Sequence, residues 1–147
     1  MMQVNLKSRG FTLVELAVVM VVASILIAIA IPGYTSYMRT ARRTDAKAAL
    51  LGLAALEERY FSTSNSYSSV ATDLGFASAA WPQPVGSGYY NVTVSGVTPA
   101  TASTTATYII TATATGSQAA DVNCATYTIN QQASRGALTN ADGQCWN

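Results

Sequence analysis

Polar and apolar residues fall into three regimes along this chain. From Phe11 to Ile31 almost every side chain is apolar or small, the departures being Thr12, Glu15 and Ser24. That run of about 21 residues would extend about 32 Å as a helix, enough to cross the hydrocarbon core of a bilayer. Pro32 removes a backbone donor and crowds the preceding turn, so a kink or local unwinding is expected between Ile25 and Pro32, with Gly33 adding freedom. From Tyr34 to about Ser62 the pattern returns at helical period. Ala46, Ala49, Leu50, Leu53, Leu56 and Tyr60 share one broad face, and Ala41, Ala48, Gly52 and Ala55 form a narrower stripe of small residues. The broad face is expected to pack on a sheet of the same subunit, and the stripe to allow close approach of another helix.

Beyond the helix the period changes. Residues 63–88 are rich in Ser, Asn, Tyr, Pro and Gly and read as an irregular connection, with a short helical turn near Ser69–Leu74. Alternation then predicts strands. Tyr90, Val92 and Val94 share a face in Tyr89–Ser95. Tyr108, Ile110, Ala112 and Ala114 do so in Thr107–Thr115, and Tyr127 and Ile129 in Ala125–Gln131. Arg135–Thr139 offers a short fourth strand. The expected class is α+β: a long N-terminal helix packed on a C-terminal antiparallel sheet of three to four strands. The expected division is a leader at 1–10, an apolar helix at 11–33 and a globular part at 34–147. The last comprises the amphipathic helix 34–62, the connection 63–88 and a sheet and disulfide region at 89–147. About 115 residues beyond the apolar helix suffice for one modest core.

Charge sharpens the picture at two places. Lys7 and Arg9 precede the apolar run without an acid, so the N-terminus is expected to remain cytoplasmic. Glu15 lies near the start of the run. An ionised acid costs roughly 2.5–3.5 kcal/mol at mid-membrane and less near the interface. It therefore needs a partner within the membrane or an assembly.

Lys7-Ser-Arg-Gly10 followed by Phe11-Thr-Leu-Val-Glu15-Leu resembles the leader and cleavage site of type IV prepilins. Ile29-Ala-Ile-Pro32-Gly-Tyr34 and Tyr37 are similar to that family's first helix. The resemblance is strong to about Phe61 and looser beyond. It implies that a prepilin peptidase cuts between Gly10 and Phe11 and that the new amino group of Phe11 is methylated. It also implies that Glu15 meets the Phe11 amine of a neighbouring subunit, which removes the cost of an orphan charge. A secretory cut after the apolar core is not indicated, because the small residue Gly10 precedes that core. Removing Lys7 and Arg9 leaves six basic against seven acidic side chains.

Cys124 and Cys145 are the only cysteines and there is no histidine, so a four-ligand zinc site is not expected. Past an exporting helix the two thiols are expected to form a disulfide. Type IV pilins resemble this in their C-terminal disulfide. The ending Ser134-Arg-Gly136 and Cys145-Trp146 looks most like the PilE-type minor pilins.

Arg39, Arg42, Arg43 and Lys47 share one side of the second helical half, beside the single acid Asp45. A nucleic-acid stripe is one reading. The expected partners are instead lipid headgroups or acids on a neighbouring subunit, and nucleic acid is not expected. Catalysis is not expected either. Histidine is absent, Glu57 and Glu58 diverge by about 100° on a helix, Asp73, Asp121 and Asp142 are scattered, and phosphate-loop or metal-ligand spacing is missing. No cofactor or metal is called for. Asn91-Val-Thr93 matches a glycosylation triplet but lies in an expected strand.

The reading is a structural subunit of a bacterial type IV pilus, a minor pilin contributing to assembly, with roles in adhesion or twitching motility. Its expected partners are other pilin subunits in a helical filament, the prepilin peptidase and the inner-membrane assembly machinery. It would reside in the inner membrane as a single-pass precursor and then in the extracellular filament. The alternatives are a DNA-uptake pilin and a pseudopilin of type II secretion.

Overall fold

The computed structural model describes residues 10–137 together with Cys145 and Trp146. The leader residues Lys7 and Arg9, the acid Asp142 and the last two positions of the expected strand at 135–139 lie outside the described residues.

Among the described residues a helix, α1 (Leu13–Ser64), is followed by five strands: β1 (Gln83–Val85), β2 (Tyr90–Thr98), β3 (Thr107–Ala114), β4 (Thr126–Asn130) and β5 (Arg135–Ala137). Short 3₁₀ turns occupy Ala71–Leu74 and Gly116–Ala120. The chain divides into two compact units, Met1–Met38 and Arg39–Asn147. In the first, α1 remains helical through Pro32 and Gly33, so local unwinding does not occur there. The Thr35 hydroxyl donates to the Pro32 carbonyl at 3.0 Å.

In the second unit the strands form one antiparallel meander in chain order. Sequential hairpins need no crossover, which is why order in sequence becomes order in the sheet. Registers such as Val92↔Ala112 and Ala112↔Tyr127 put the alternating apolar residues of β2, β3 and β4 on a common face. Tyr90, Val92, Val94, Tyr108, Ile110, Ala112, Ala114, Tyr127 and Ile129 are buried there, as the period-two reading expects. Ala46, Leu50 and Leu53 of α1 complete the same core.

Two local features differ from expectation. The sheet has five strands because β1 forms inside the expected connection. Its centre, Pro84, cannot donate to a ladder, so period-two reasoning passes over it. An edge position facing β2 alone tolerates that missing donor. The buried stripe of α1 also contains Glu57, fully enclosed, where only apolar residues were expected. Ala41, Ala48, Gly52 and Ala55 remain exposed.

Turn chemistry explains the remaining joints. α1 stops at Asn65, whose φ of 52° is left-handed and whose amide caps the Phe61 carbonyl at 2.8 Å. Gly86, at φ 56°, lies against Asp45 of α1, and an added Cβ would come within 3.2 Å of the Asp45 Cβ. Glycine therefore lets the β1–β2 turn approach the helix.

Candidate functional site

The N-terminal segment is built as a capped helix with no cover. Thr12 precedes the first helical residue, and its Oγ1 accepts the Glu15 backbone N–H at 3.2 Å. This is half of a capping box, with Thr at the cap and Glu three residues on. The Thr-x-x-Glu spacing was a readable signal that the sequence reading passed over. It gives Thr12 a local task and places Glu15 in the first turn, where the helix dipole favours an acid.

Phe11 is 82% exposed, and the large apolar side chains from Leu13 to Ile31 all lie open. By length and composition the helix can cross a membrane. So uniform an apolar surface needs hydrocarbon or other helices around it. Gly10 is exposed next to Phe11, which leaves the expected scissile bond accessible.

The basic cluster is not a free stripe. The Arg43 guanidinium donates to both carboxylate oxygens of Asp121, at 2.7 and 2.8 Å. This bidentate bond raises the Arg43 pKa against an opposing cost of burial. Arg42 lies over the Tyr89 ring, its guanidinium carbon 3.6 Å from the ring centre, and donates to the Tyr89 hydroxyl at 3.0 Å and to Ser117 Oγ at 3.3 Å. The Gln118 side-chain nitrogen, fully buried, shares its two N–H hydrogens among three acceptors: the Arg39 carbonyl and the Tyr90 hydroxyl at 3.1 Å and Asp121 Oδ2 at 3.2 Å. Burial pushes the Tyr90 and Tyr127 hydroxyls above their ordinary pKa, so both stay neutral. These contacts fasten residues 39–43 of α1 to the turn after β3 and, through Tyr89, to the β1–β2 turn. The expectation of lipid or intersubunit partners for Arg42 and Arg43 is thereby corrected. Their partners lie 47 to 78 residues away in the same chain, a pairing that helical periodicity cannot reveal.

The C-terminal region is held by the expected disulfide, Cys124–Cys145. Trp146, next to it, meets Tyr127 edge-to-face at 5.7 Å and donates its indole N–H to the Gly136 carbonyl at 3.0 Å. The exposed Arg135 guanidinium lies 5.2 Å from the Trp146 ring centre. This sets a cation and an aromatic ring together at the sheet edge.

Glu57 is a further buried ionisable group among the described residues. One carboxylate oxygen accepts the Ser68 backbone N–H at 3.0 Å, and the other has no hydrogen-bond partner among the described residues. Burial raises its pKa, only partly offset by the Ser68 bond, with Glu58 and Asp73 adding repulsion. Among the described residues, no group of three or more His, Cys, Asp or Glu side chains is arranged to hold a metal.

Residues 32–128 match the family described as type IV minor pilin ComP, DNA uptake sequence receptor. Residues 5–31 match the prokaryotic N-terminal methylation motif. The chain is 38% identical over 73 residues to the type IV major pilin protein PilA of Myxococcus xanthus (strain DK1622), covering 50% of this chain and 33% of that protein. It is 56% identical over 39 residues to the prepilin peptidase-dependent protein D of Escherichia coli (strain K12), covering 26% of this chain and 27% of that protein. Both matches thus span a third or less of the relatives' length. A type IV pilin structure from Shewanella oneidensis is similar at 23% identity and a TM-score of 0.45, over 70% of this chain and 96% of that one.

Proposed function

The chain belongs to the family of type IV minor pilins described by the name ComP, and from that premise we propose that it is held in the inner membrane by the N-terminal half of α1 and then drawn into a pilus filament. The observation that carries this reading is the contrast within one helix. Leu13–Ile31 is apolar and open, whereas Ala46, Leu50 and Leu53 already bury themselves under the sheet of their own subunit. The open part is an interface awaiting bilayer first and other copies later. Phe11 supplies a charged amine after the cut at Gly10, and Glu15 pairs with that amine on a neighbour. The exposed small residues Ala41, Ala48, Gly52 and Ala55 permit close helix approach.

The test is Glu15→Ala expressed in the native host. Cleavage is expected to proceed, with the variant retained in the membrane fraction and depleted from sheared filaments. Wild-type abundance in filaments would sink the pairing.

A second reading concerns what the globular unit meets. The family's description as a DNA uptake sequence receptor favours duplex DNA over the adhesion or twitching role expected from sequence. With Arg42 and Arg43 engaged internally, the surface for phosphates would centre on exposed Arg135 beside Trp146. Fluorescence anisotropy of the full chain in detergent with labelled duplex checks this. Binding should weaken with salt, and Arg135→Ala should reduce the log–log salt slope by about 1. Salt-independent binding, or none at low salt, would remove this reading.

A further inference from the structure

At the Ser64 end of α1 the chain encloses a second feature, lined by none of the basic-cluster or disulfide residues. The left-handed turn at Asn65 reverses the backbone and lays Tyr67 on Phe61, ring centres 4.8 Å apart with planes 31° apart. Tyr67 is backed by an edge-to-face contact with Tyr108 at 4.6 Å. These two half-buried rings form one wall of an open cavity of about 330 Å³, whose other walls come from the β2–β3 loop and the turn after β4. That volume falls in the range of small-ligand sites.

The lining is aromatic and polar but carries no charge: Phe61, Tyr67, Thr105, Gln131 and Gln132, with two alanines between them. Gln131 Oε1 accepts the Tyr108 backbone N–H at 3.4 Å, which orients its amide and leaves the nitrogen to donate. Thr105 and Gln132 are exposed at the rim. Behind the ring, the Glu58 carboxylate accepts the Tyr67 hydroxyl at 3.0 Å. Burial, and after it this bond to Glu58, push the Tyr67 hydroxyl up to about 12, so the ring presents a neutral phenol at all physiological pH.

We propose that this cavity binds one neutral hexopyranose unit of a glycan. A pyranose offers an apolar C–H face to an aromatic ring and a rim of hydroxyls to amides and hydroxyls, which is the arrangement of Phe61, Gln131, Gln132 and Thr105. The charge pattern selects against a nucleotide. A phosphate would find no cation in the lining and would face the Glu58 carboxylate beyond Tyr67. The proposal stands apart from filament membership and from DNA binding at Arg135, so either can fail without the other.

Saturation-transfer NMR tests it on the full chain in a zwitterionic detergent without sugar headgroups. The probes are individual methyl hexopyranosides and N-acetylhexosaminides, with a short deoxyoligonucleotide and glycerol run alongside. At least one sugar should receive saturation on its C–H protons. Phe61→Leu, which keeps bulk but removes the ring, should weaken binding about tenfold. Gln132→Ala, at an exposed position outside the core, should weaken it severalfold, and it carries the test if Phe61→Leu disturbs the fold as seen by near-UV circular dichroism. Saturation of no sugar above glycerol, saturation of the oligonucleotide alone, or unchanged sugar binding in folded variants would each overturn the proposal.

Discussion

Replacing Arg43 with alanine tests whether the basic cluster belongs to the fold or to the outside world. Two charge-assisted hydrogen bonds to Asp121 are lost, and Asp121, 6% exposed, keeps the Gln118 amide at 3.2 Å as a side-chain donor. Breaking a fully buried ion pair costs about 3–5 kcal/mol. The Arg43 side chain is 23% open to solvent, which screens part of the interaction and reduces the expectation to about 2–3 kcal/mol. Asp121→Asn keeps the shape, removes the charge and leaves a guanidinium able to reach water, so a smaller loss of about 1–2 kcal/mol is expected. The double variant should then show a coupling of at least about 1 kcal/mol. The assay is urea unfolding of the full chain in detergent, followed by near-UV circular dichroism of the buried tyrosines. Single variants within about 0.5 kcal/mol of wild type, with no coupling, would refute the reasoning and free Arg43 for an external partner.

Three further outcomes are expected. Glu57→Gln should stabilise the fold near neutral pH by about 1 kcal/mol, because a neutral amide can still accept the Ser68 N–H without the cost of a buried charge. The Glu57 pKa is raised on folding, so its favourable contribution is complete below the ordinary carboxylate pKa and is lost as pH rises through the folded value. The advantage of Glu57→Gln should accordingly vanish in acid, and a pH-independent difference in urea midpoints would contradict it. Opening the Cys124–Cys145 bridge by paired Ser substitution, across a separation of 21 residues, should cost about 3 kcal/mol by thermal or urea melting. Gly10→Val should block removal of the leader, seen as retained mass in the membrane fraction, because a branched side chain then stands beside the proposed scissile bond; normal processing would exclude that cut site.

Much of the architecture was legible because it is periodic. Tyr90, Val92 and Val94, and their counterparts on β3 and β4, alternate with mostly polar residues, and burial from Tyr90 to Val94 and along β3 and β4 follows that alternation. The helix declared itself in the same way. What stayed hidden depends on particular contacts across the chain. β1 pairs despite Pro84 because it needs only one neighbour. Glu57 is buried because a single amide, that of Ser68, meets it there. Arg43 reads as a surface cation until Asp121 is brought beside it by the turn after β3. Thr12 is the opposite case, since its capping spacing to Glu15 was present in sequence but masked by the stronger resemblance around it.

The most direct test of the account is N-terminal mass spectrometry of this protein in filaments sheared from the native host. The account predicts a chain beginning at Phe11, its amino group methylated, and present in the sheared fraction. A chain still carrying residues 1–10, or one confined to the membrane fraction, would contradict it, because Glu15 would then have no Phe11 amine to meet.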